Sequence, residues 1–271
     1  MTRILWYNMP IIYIHKIDDD SLLQIFSHCR LQDGDNWHLR HTWRRLAQVC
    51  HRWRYLIYQS SSHLDICLLL TNNSPSMNTL SHLPLLPLVI DYSDKTSTMA
   101  RKDEDNIYLG LQRHGRVCRV ALQAPSSSLR MWLRSMNKPF PRLEDLSIFS
   151  TTTEEMSPVL PETLRAPFLR RLSLHCIGLP KGLLLLSSMI TLSTFSLIHI
   201  RDSCYFPPGH LVTQLQGLPC LEELSIGFAI PIPLPSKEVG YWLFTYIRAL
   251  SSPGITCWRI GPGNPAGAAR P

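Results

Sequence analysis

The chain has 271 residues, 45% of them apolar and 17% charged, and carries a net charge of +7. That balance excludes a disordered chain and allows one or two domains with a substantial core. It also argues against a membrane span, because the best candidate, residues 179–200, is interrupted by Pro180, Lys181 and several serines and threonines.

Residues 1–16 read as an N-terminal extension. They hold a short apolar run without a small-residue cleavage site, so no secretory signal is expected, and a start of the protein proper near Ile17 fits the same text. Residues 17–59 follow as a predicted helical module. Asp18, Asp19, Asp20 and Ser21 supply acidic and capping groups suited to a helix N-terminus. Leu22, Leu23, Ile25 and Phe26 form its apolar side, and Asp33-Gly34-Asp35-Asn36 breaks the pattern. A second striped stretch runs through Leu39, Trp43, Leu46, Val49, Cys50, Trp53, Leu56 and Ile57. At about 100° per residue these positions fall within an arc of roughly 140°. Arg40, His41, Arg44, Arg45, His51 and Arg52 fall opposite, with Arg54 at the border. Two short helices cannot close a core by themselves, so Trp43 and Trp53 need cover from the rest of the chain or from another protein.

The phrases DDSLLQIF at 19–26 and WRRLAQVCHRWRYLI at 43–57 resemble an F-box, most specifically in Val-Cys-x-Arg-Trp-Arg-x-Leu at 49–56. Ile17-Asp18 stands where Leu-Pro is usual, and residues 29–42 make a longer insert than a compact F-box has. An F-box followed by leucine-rich repeats is an arrangement of fungal (basidiomycete) type, and residues 86–92 and 106–111 are similar to that group too. The resemblance implies a substrate receptor of a cullin-type ubiquitin ligase, docking on a Skp-family adaptor through the F-box. It implies that Leu22, Leu23, Ile25, Phe26, Trp43, Leu46, Val49, Cys50, Trp53 and Leu56 face either that adaptor or the module's own core. For Trp43 and Trp53 it favours the adaptor. If Phe26 or Trp53 is a docking anchor, its replacement by alanine is expected to cost ~2–4 kcal/mol of binding.

Residues 60–260 are predicted as an irregular leucine-rich-repeat-like solenoid, giving an α/β fold with its strands parallel and side by side. Apolar runs at 64–69 and 85–90 read as early strands, and Leu129, Trp132, Leu133 and Met136 mark a helix over 128–137. The clearest signal is a repeated phrase, Pro-x-Leu-(charged)-(charged)-Leu-Ser-(Ile/Leu). It reads PRLEDLSI at 141–148, PFLRRLSL at 167–174 and PCLEELSI at 219–226, with a degenerate TLSTFSL at 191–197. The first apolar positions, Leu143, Leu169, Leu192 and Leu221, are 26, 23 and 29 residues apart. Val117-x-x-Val120-x-Leu122 fits one step of 26 upstream, and Ile255-x-x-Trp258-x-Ile260 follows Leu221 after 34. Steps in the twenties match the leucine-rich repeat, in which each unit is a short strand with a return. The asparagine expected three residues after each frame is replaced by Thr151, Ile177, Ile200 and Ala229. A further helix is expected at 240–250, and the Gly-, Ala- and Pro-rich residues 261–271 read as an unstructured tail. That tail cannot cap the stack, so an open apolar edge beside Trp258 and Ile260 is expected, the alternative being that residues 240–250 fold over it as the cap.

Chemistry-bearing motifs are scarce. No Gly-x-Ser-x-Gly, His-Glu-x-x-His or phosphate-cradling Gly-Lys-Ser/Thr occurs. Gly261-x-Gly263-x-x-Ala266 holds two prolines and lacks a following helix, which disqualifies it as a dinucleotide turn. Cys29, His38, His41 and Cys50 follow no zinc spacing, so neither a metal nor a cofactor is expected. The eight cysteines, at 29, 50, 67, 118, 176, 204, 220 and 257, never form Cys-x-x-Cys, which suits reduced thiols and a cytoplasmic or nuclear setting.

The expected function is therefore non-enzymatic. Exposed strand positions are the expected substrate-binding surface: Glu144, Asp145 and Ser147; Arg170, Arg171 and Ser173; Ser193, Thr194 and Ser196; Glu222, Glu223 and Ser225. Their signs alternate along the stack, and keeping a solenoid face soluble is the bland alternative for them. The expected partners are a Skp-family adaptor, through it a cullin, and a protein substrate, with no membrane. Three rivals stand: a repeat scaffold without ubiquitin chemistry, a nucleic-acid-binding module using the basic cluster Arg40 to Arg54, and a hydrolase within the solenoid.

Overall fold

The computed structural model describes residues 16–31, 42–61, 63–64, 66–72, 74, 86–93, 100–152, 157–180, 185–201, 204, 208–228 and 257–260. The chain divides into two units, Met1–Cys67 and Leu68–Pro271. The expected features at residues 1–15, 240–250 and 261–271 lie outside the described residues, as do the side chains of Trp258 and Ile260 and with them the expected open edge.

The first unit holds three helices, α1 (Asp19–Leu31), α2 (Thr42–Val49) and α3 (His51–Gln59). Helix α1 starts because Asp18 caps it. Its carboxylate accepts hydrogen bonds from the Ser21 backbone N–H and hydroxyl, both at 2.8 Å, which hold the carboxyl below its ordinary pKa. The stripe read as continuous from Leu39 to Ile57 is two helices over its described residues, 42–57. Cys50 breaks it with an extended backbone (φ −155°) and caps α3 through a weak hydrogen bond from the Trp53 N–H to its sulfur, at 3.5 Å. Two arginines of the basic cluster serve the unit itself. Arg52 pairs with Asp19 and donates to the Ile17 carbonyl at 2.7 Å, and Arg54 donates to the Ala47 carbonyl near the end of α2 at 3.0 Å. Leu22, Phe26, Trp43, Trp53, Leu56 and Ile57 are buried, with Phe26 and Trp53 in edge-to-face contact at 4.9 Å.

The second unit is an α/β arrangement built on one eight-stranded sheet. Its strands are β1 (Leu68–Leu70), β2 (Leu88–Ser93), β3 (Val117–Ala124), β4 (Asp145–Ser150), β5 (Arg171–His175), β6 (Thr194–Ile200), β7 (Glu223–Phe228) and β8 (Cys257–Ile260). They stand in the sheet in chain order and every neighbouring pair is parallel. The parallel, side-by-side arrangement expected from the repeats is therefore present. The early strands lie up to four residues further along than their apolar runs began.

The repeated phrase has a backbone explanation at each of its positions. Before β4, the Leu143 N–H closes a turn on the Phe140 carbonyl, and Leu169, Leu192 and Leu221 close the same turn on Ala166, Met189 and Leu218. Pro141, Pro167 and Pro219 occupy the second position of those turns, where a fixed φ suits the chain. Ile190 occupies it in the degenerate copy, so the turn survives without proline. The next residue joins the preceding strand: the N–H groups of Glu144, Arg170, Ser193 and Glu222 donate to the carbonyls of Cys118, Glu144, Arg170 and Ser193, each at 2.8 Å. The remaining apolar positions then line up across the sheet, Leu146, Leu172, Phe195 and Leu224 in one row and Ile148, Leu174, Leu197 and Ile226 in the next. All eight are buried, each worth roughly 1.5–3 kcal/mol of transfer free energy.

Helices return the chain between some strands. Helix α4 (Arg101–Gln112) lies against β1 and β2, where Gly110 permits close approach: a Cβ there would sit 3.0 Å from the Ile90 side chain and 3.1 Å from that of Leu70. Helix α5 (Ser126–Ser135), two residues earlier than its spacing predicts, buries Leu129, Trp132 and Leu133. Its start is held by a buried hydroxyl pair, Ser126 and Ser150 at 2.7 Å. Helix α6 (Pro208–Gln216) precedes β7, whereas the return from β5 to β6 carries only a short 3-10 turn, Leu186–Ser188, among its described residues.

Candidate functional site

Alternation along each strand leaves one face of the sheet for the polar positions, and the register orders them into rows. The first row contains Arg119, Asp145, Arg171, Thr194 and Glu223 on β3 to β7. The second contains Ala121, Ser147, Ser173, Ser196 and Ser225, so the serine shared by the repeats forms a ladder four strands wide. In the third, Gln123, Phe149, His175 and Ile198 are neighbours. All of the strand positions expected to bind substrate lie exposed or half-exposed on this face or just before it.

The charges in the first row are engaged with one another. The Asp145 carboxylate accepts from Arg171 at 2.8 and 3.0 Å and lies 3.3 Å from Arg119. Glu223 accepts a long hydrogen bond from the Thr194 hydroxyl, at 3.4 Å. Asp145 and Arg171 are thus held by cross-strand pairs as well as being displayed. Their sequence neighbours behave differently. Glu144 and Arg170 are exposed, and among the described residues their side chains make no hydrogen bond or ion pair. Both line a groove of about 300 Å³ together with Pro87, Pro141, Arg142 and Phe168. Arg142 and Phe168 were not singled out by sequence. They fill the variable position of the Pro-x-Leu phrase, the third residue of each turn, and a turn position that must face outward was the signal available.

At the other end of the strands, three rings meet. Phe149 stacks on His175 at 4.0 Å with an interplanar angle of 16°, and His199 meets His175 edge-on at 4.5 Å. A register shift in β6 between Leu197 and Ile200 and a left-handed backbone at His199 (φ 55°) accompany that placement. Loss of hydration, followed by the nearby His199, lowers the His175 pKa to about 4, so its ring is neutral at pH 7. Among the described residues its buried Nδ1 has no hydrogen-bond partner. The adjacent Cys176 thiol is buried and its pKa is pushed up, which makes it unreactive rather than nucleophilic. Among the described residues no group of three His, Cys, Asp or Glu side chains is placed to hold a metal ion.

In the helical unit, the residues grouped by sequence divide. Leu22, Phe26, Trp43, Trp53 and Leu56 point inward, which corrects the expectation that Trp43 and Trp53 face the adaptor: a ring that is already more than nine-tenths buried has little surface left for a partner. Leu23 and Leu46 are half-buried. Ile25 and Val49 are exposed large apolar residues at 44% and 59%, Tyr55 joins them at 58%, and Cys50 is exposed as well. No helix among the described residues is long and apolar enough to cross a membrane.

No family model, no curated protein and no solved structure matches this chain.

Proposed function

We propose that the chain is a non-enzymatic protein-binding receptor: an F-box-like helical module followed by a leucine-rich-repeat-like solenoid, serving as the substrate-recognition subunit of a cullin-type ubiquitin ligase. The single observation that carries the binding role is the strand order. The strands stand parallel in chain order, and those from β3 to β7 present their polar positions as continuous rows. Rows of that kind offer an extended surface for a protein and few places to concentrate catalytic groups. Support for the adaptor role comes from the F-box resemblance of residues 17–57. It also comes from the large apolar residues Ile25, Val49 and Tyr55, which are exposed.

Two of the arginines on which a nucleic-acid reading would depend, Arg52 and Arg54, are bonded within the helical unit, which weakens that rival. Co-expression with a Skp-family adaptor and recovery of a stoichiometric complex tests the proposal. The wild-type chain should co-purify and Ile25→Asp with Val49→Asp should not, at unchanged melting temperature. Soluble chain that never retains the adaptor leaves a repeat scaffold without ubiquitin chemistry.

A further inference from the structure

We infer that the groove at the start of β4 and β5 is a docking site for an acidic segment of a protein partner, one that places a carboxylate between Arg142 and Arg170 and an apolar side chain against Phe168. The inference deepens the receptor reading proposed above and rests on it for the partner being a protein. The groove encloses about 300 Å³ and is made by the repeat itself. Pro141 and Phe168 come from successive turns, and Glu144 and Arg170 are the first members of the charged pairs in the same two units. Pro87, from the chain just before β2, extends the apolar wall.

Charge selects the occupant. Two guanidinium groups, Arg142 and Arg170, face one carboxylate, Glu144, so the site is cationic by one charge. None of the three is engaged by another side chain among the described residues, whereas one row further along the strands Asp145 is already held by Arg119 and Arg171. A partner's carboxylate can therefore take both arginines without breaking an existing pair. Arginine suits this task because its planar fork meets a carboxylate with two hydrogen bonds. Phe168, 58% exposed and lining the same groove as prolines 87 and 141, offers an apolar surface that a lone anion would leave wet. A nucleic-acid strand fits less well, since a phosphate chain following the row beyond Arg170 would pass Ser193 and then meet Glu222.

The test is fluorescence anisotropy on the full chain, without adaptor, so that its outcome is separate from that of the co-purification. The probe is a fluorescein-labelled peptide alternating leucine and glutamate, compared with its glutamine and lysine counterparts and with a labelled ten-nucleotide single strand. The acidic peptide should bind, the glutamine peptide about tenfold more weakly, a difference equivalent to about 1.4 kcal/mol, and the lysine peptide not at all. Arg142→Glu with Arg170→Glu should weaken the acidic peptide by at least about tenfold at unchanged melting temperature, and Phe168→Ala should weaken it severalfold. Arg142→Gln and Arg170→Gln, which cannot disturb folding through charge reversal, should each give a partial loss. Arg134→Glu, at an exposed position of α5 that does not line the groove, should change nothing. Equal weakening by Arg134→Glu would show attraction to net charge alone and overturn the site. Preference for the glutamine peptide would overturn it too, as would tighter binding of the oligonucleotide through the same two arginines.

Discussion

Arg171 on β5 closes on Asp145 on β4, 26 residues earlier in the chain, with a guanidinium nitrogen 2.8 Å from the carboxylate oxygen. The same oxygen lies 3.3 Å from Arg119 on β3, so one carboxylate ties three strands together. Its own side chain is only 18% exposed, while that of Arg171 is 54% exposed. Replacing Asp145 by alanine removes both pairs and leaves two arginines facing each other across an emptied position. We expect a loss of about 1 kcal/mol in urea denaturation, with Arg171→Ala costing less, since exposed pairs are screened by solvent. A double-mutant cycle returning no coupling between positions 145 and 171 would remove the structural role assigned to this pair.

In the helical unit, buried and exposed apolar residues separate stability from the proposed docking. Phe26 and Trp53 are buried against each other at 4.9 Å, so alanine at either should cost about 3–5 kcal/mol of folding stability. Val49→Asp sits on an exposed site and should shift stability by less than about 0.5 kcal/mol while reducing adaptor recovery. Thermal melts run beside the co-purification decide the matter. Selective loss of adaptor with Phe26→Ala at full stability would reverse the assignment.

His175 makes stability depend on pH in a defined direction. Its folded pKa, about 4, lies below the ordinary value of 6.5, because burial and His199 disfavour the charged ring. The unfolded chain therefore binds the proton first. The His175 contribution is complete above about pH 6.5, declines as pH falls, and is gone once pH passes through about 4. With the half-buried site allowed for, the decline is on the order of 1 to 2 kcal/mol. His175→Phe keeps a ring beside Phe149 and should flatten the stability profile between pH 6.5 and 4. An unchanged profile in that variant would place the proton uptake elsewhere.

Gly178 marks a close approach of backbone to side chain. A methyl group there would lie 2.3 Å from the Cys204 sulfur and 2.9 Å from its Cβ. Gly178 is also bridged to the preceding loop: its N–H donates to the Pro158 carbonyl at 2.8 Å, and its carbonyl accepts from Leu160 at 3.0 Å. Backbone held at both sides has little room to move. Gly178→Ala should cost about 1–3 kcal/mol, and Cys204→Ala in the same chain should recover part of that loss by removing the sulfur while leaving the Cβ contact. Calorimetry on the single and double variants reads the difference.

The repeated phrase carried four of the eight strands in its text. Leu143, Leu146 and Ile148, with their counterparts, state a buried strand edge, and Pro141, Pro167 and Pro219 state the turn before it. Those are local facts, decided by side-chain alternation and by a ring that sets φ. The helical stripe over residues 42–57 was legible in the same way, but its break was not. Whether Cys50 continues or caps a helix depends on whether its sulfur accepts the Trp53 N–H, and a thiol does this too weakly to announce itself in sequence. The sequence by itself thus determined where the repeat strands and their turns occur and which of their residues are buried. Tertiary structure alone decided what the polar residues do. Asp145 is engaged and Glu144 is not, although they are adjacent and alike, because cross-strand register sets Asp145 directly between Arg119 and Arg171. His175 meets His199 for the same kind of reason, with a bulge in β6 setting its position. Such pairings join residues that are 24 to 26 positions apart in the chain, and the length and path of each return, rather than any local preference, fix which side chains become neighbours.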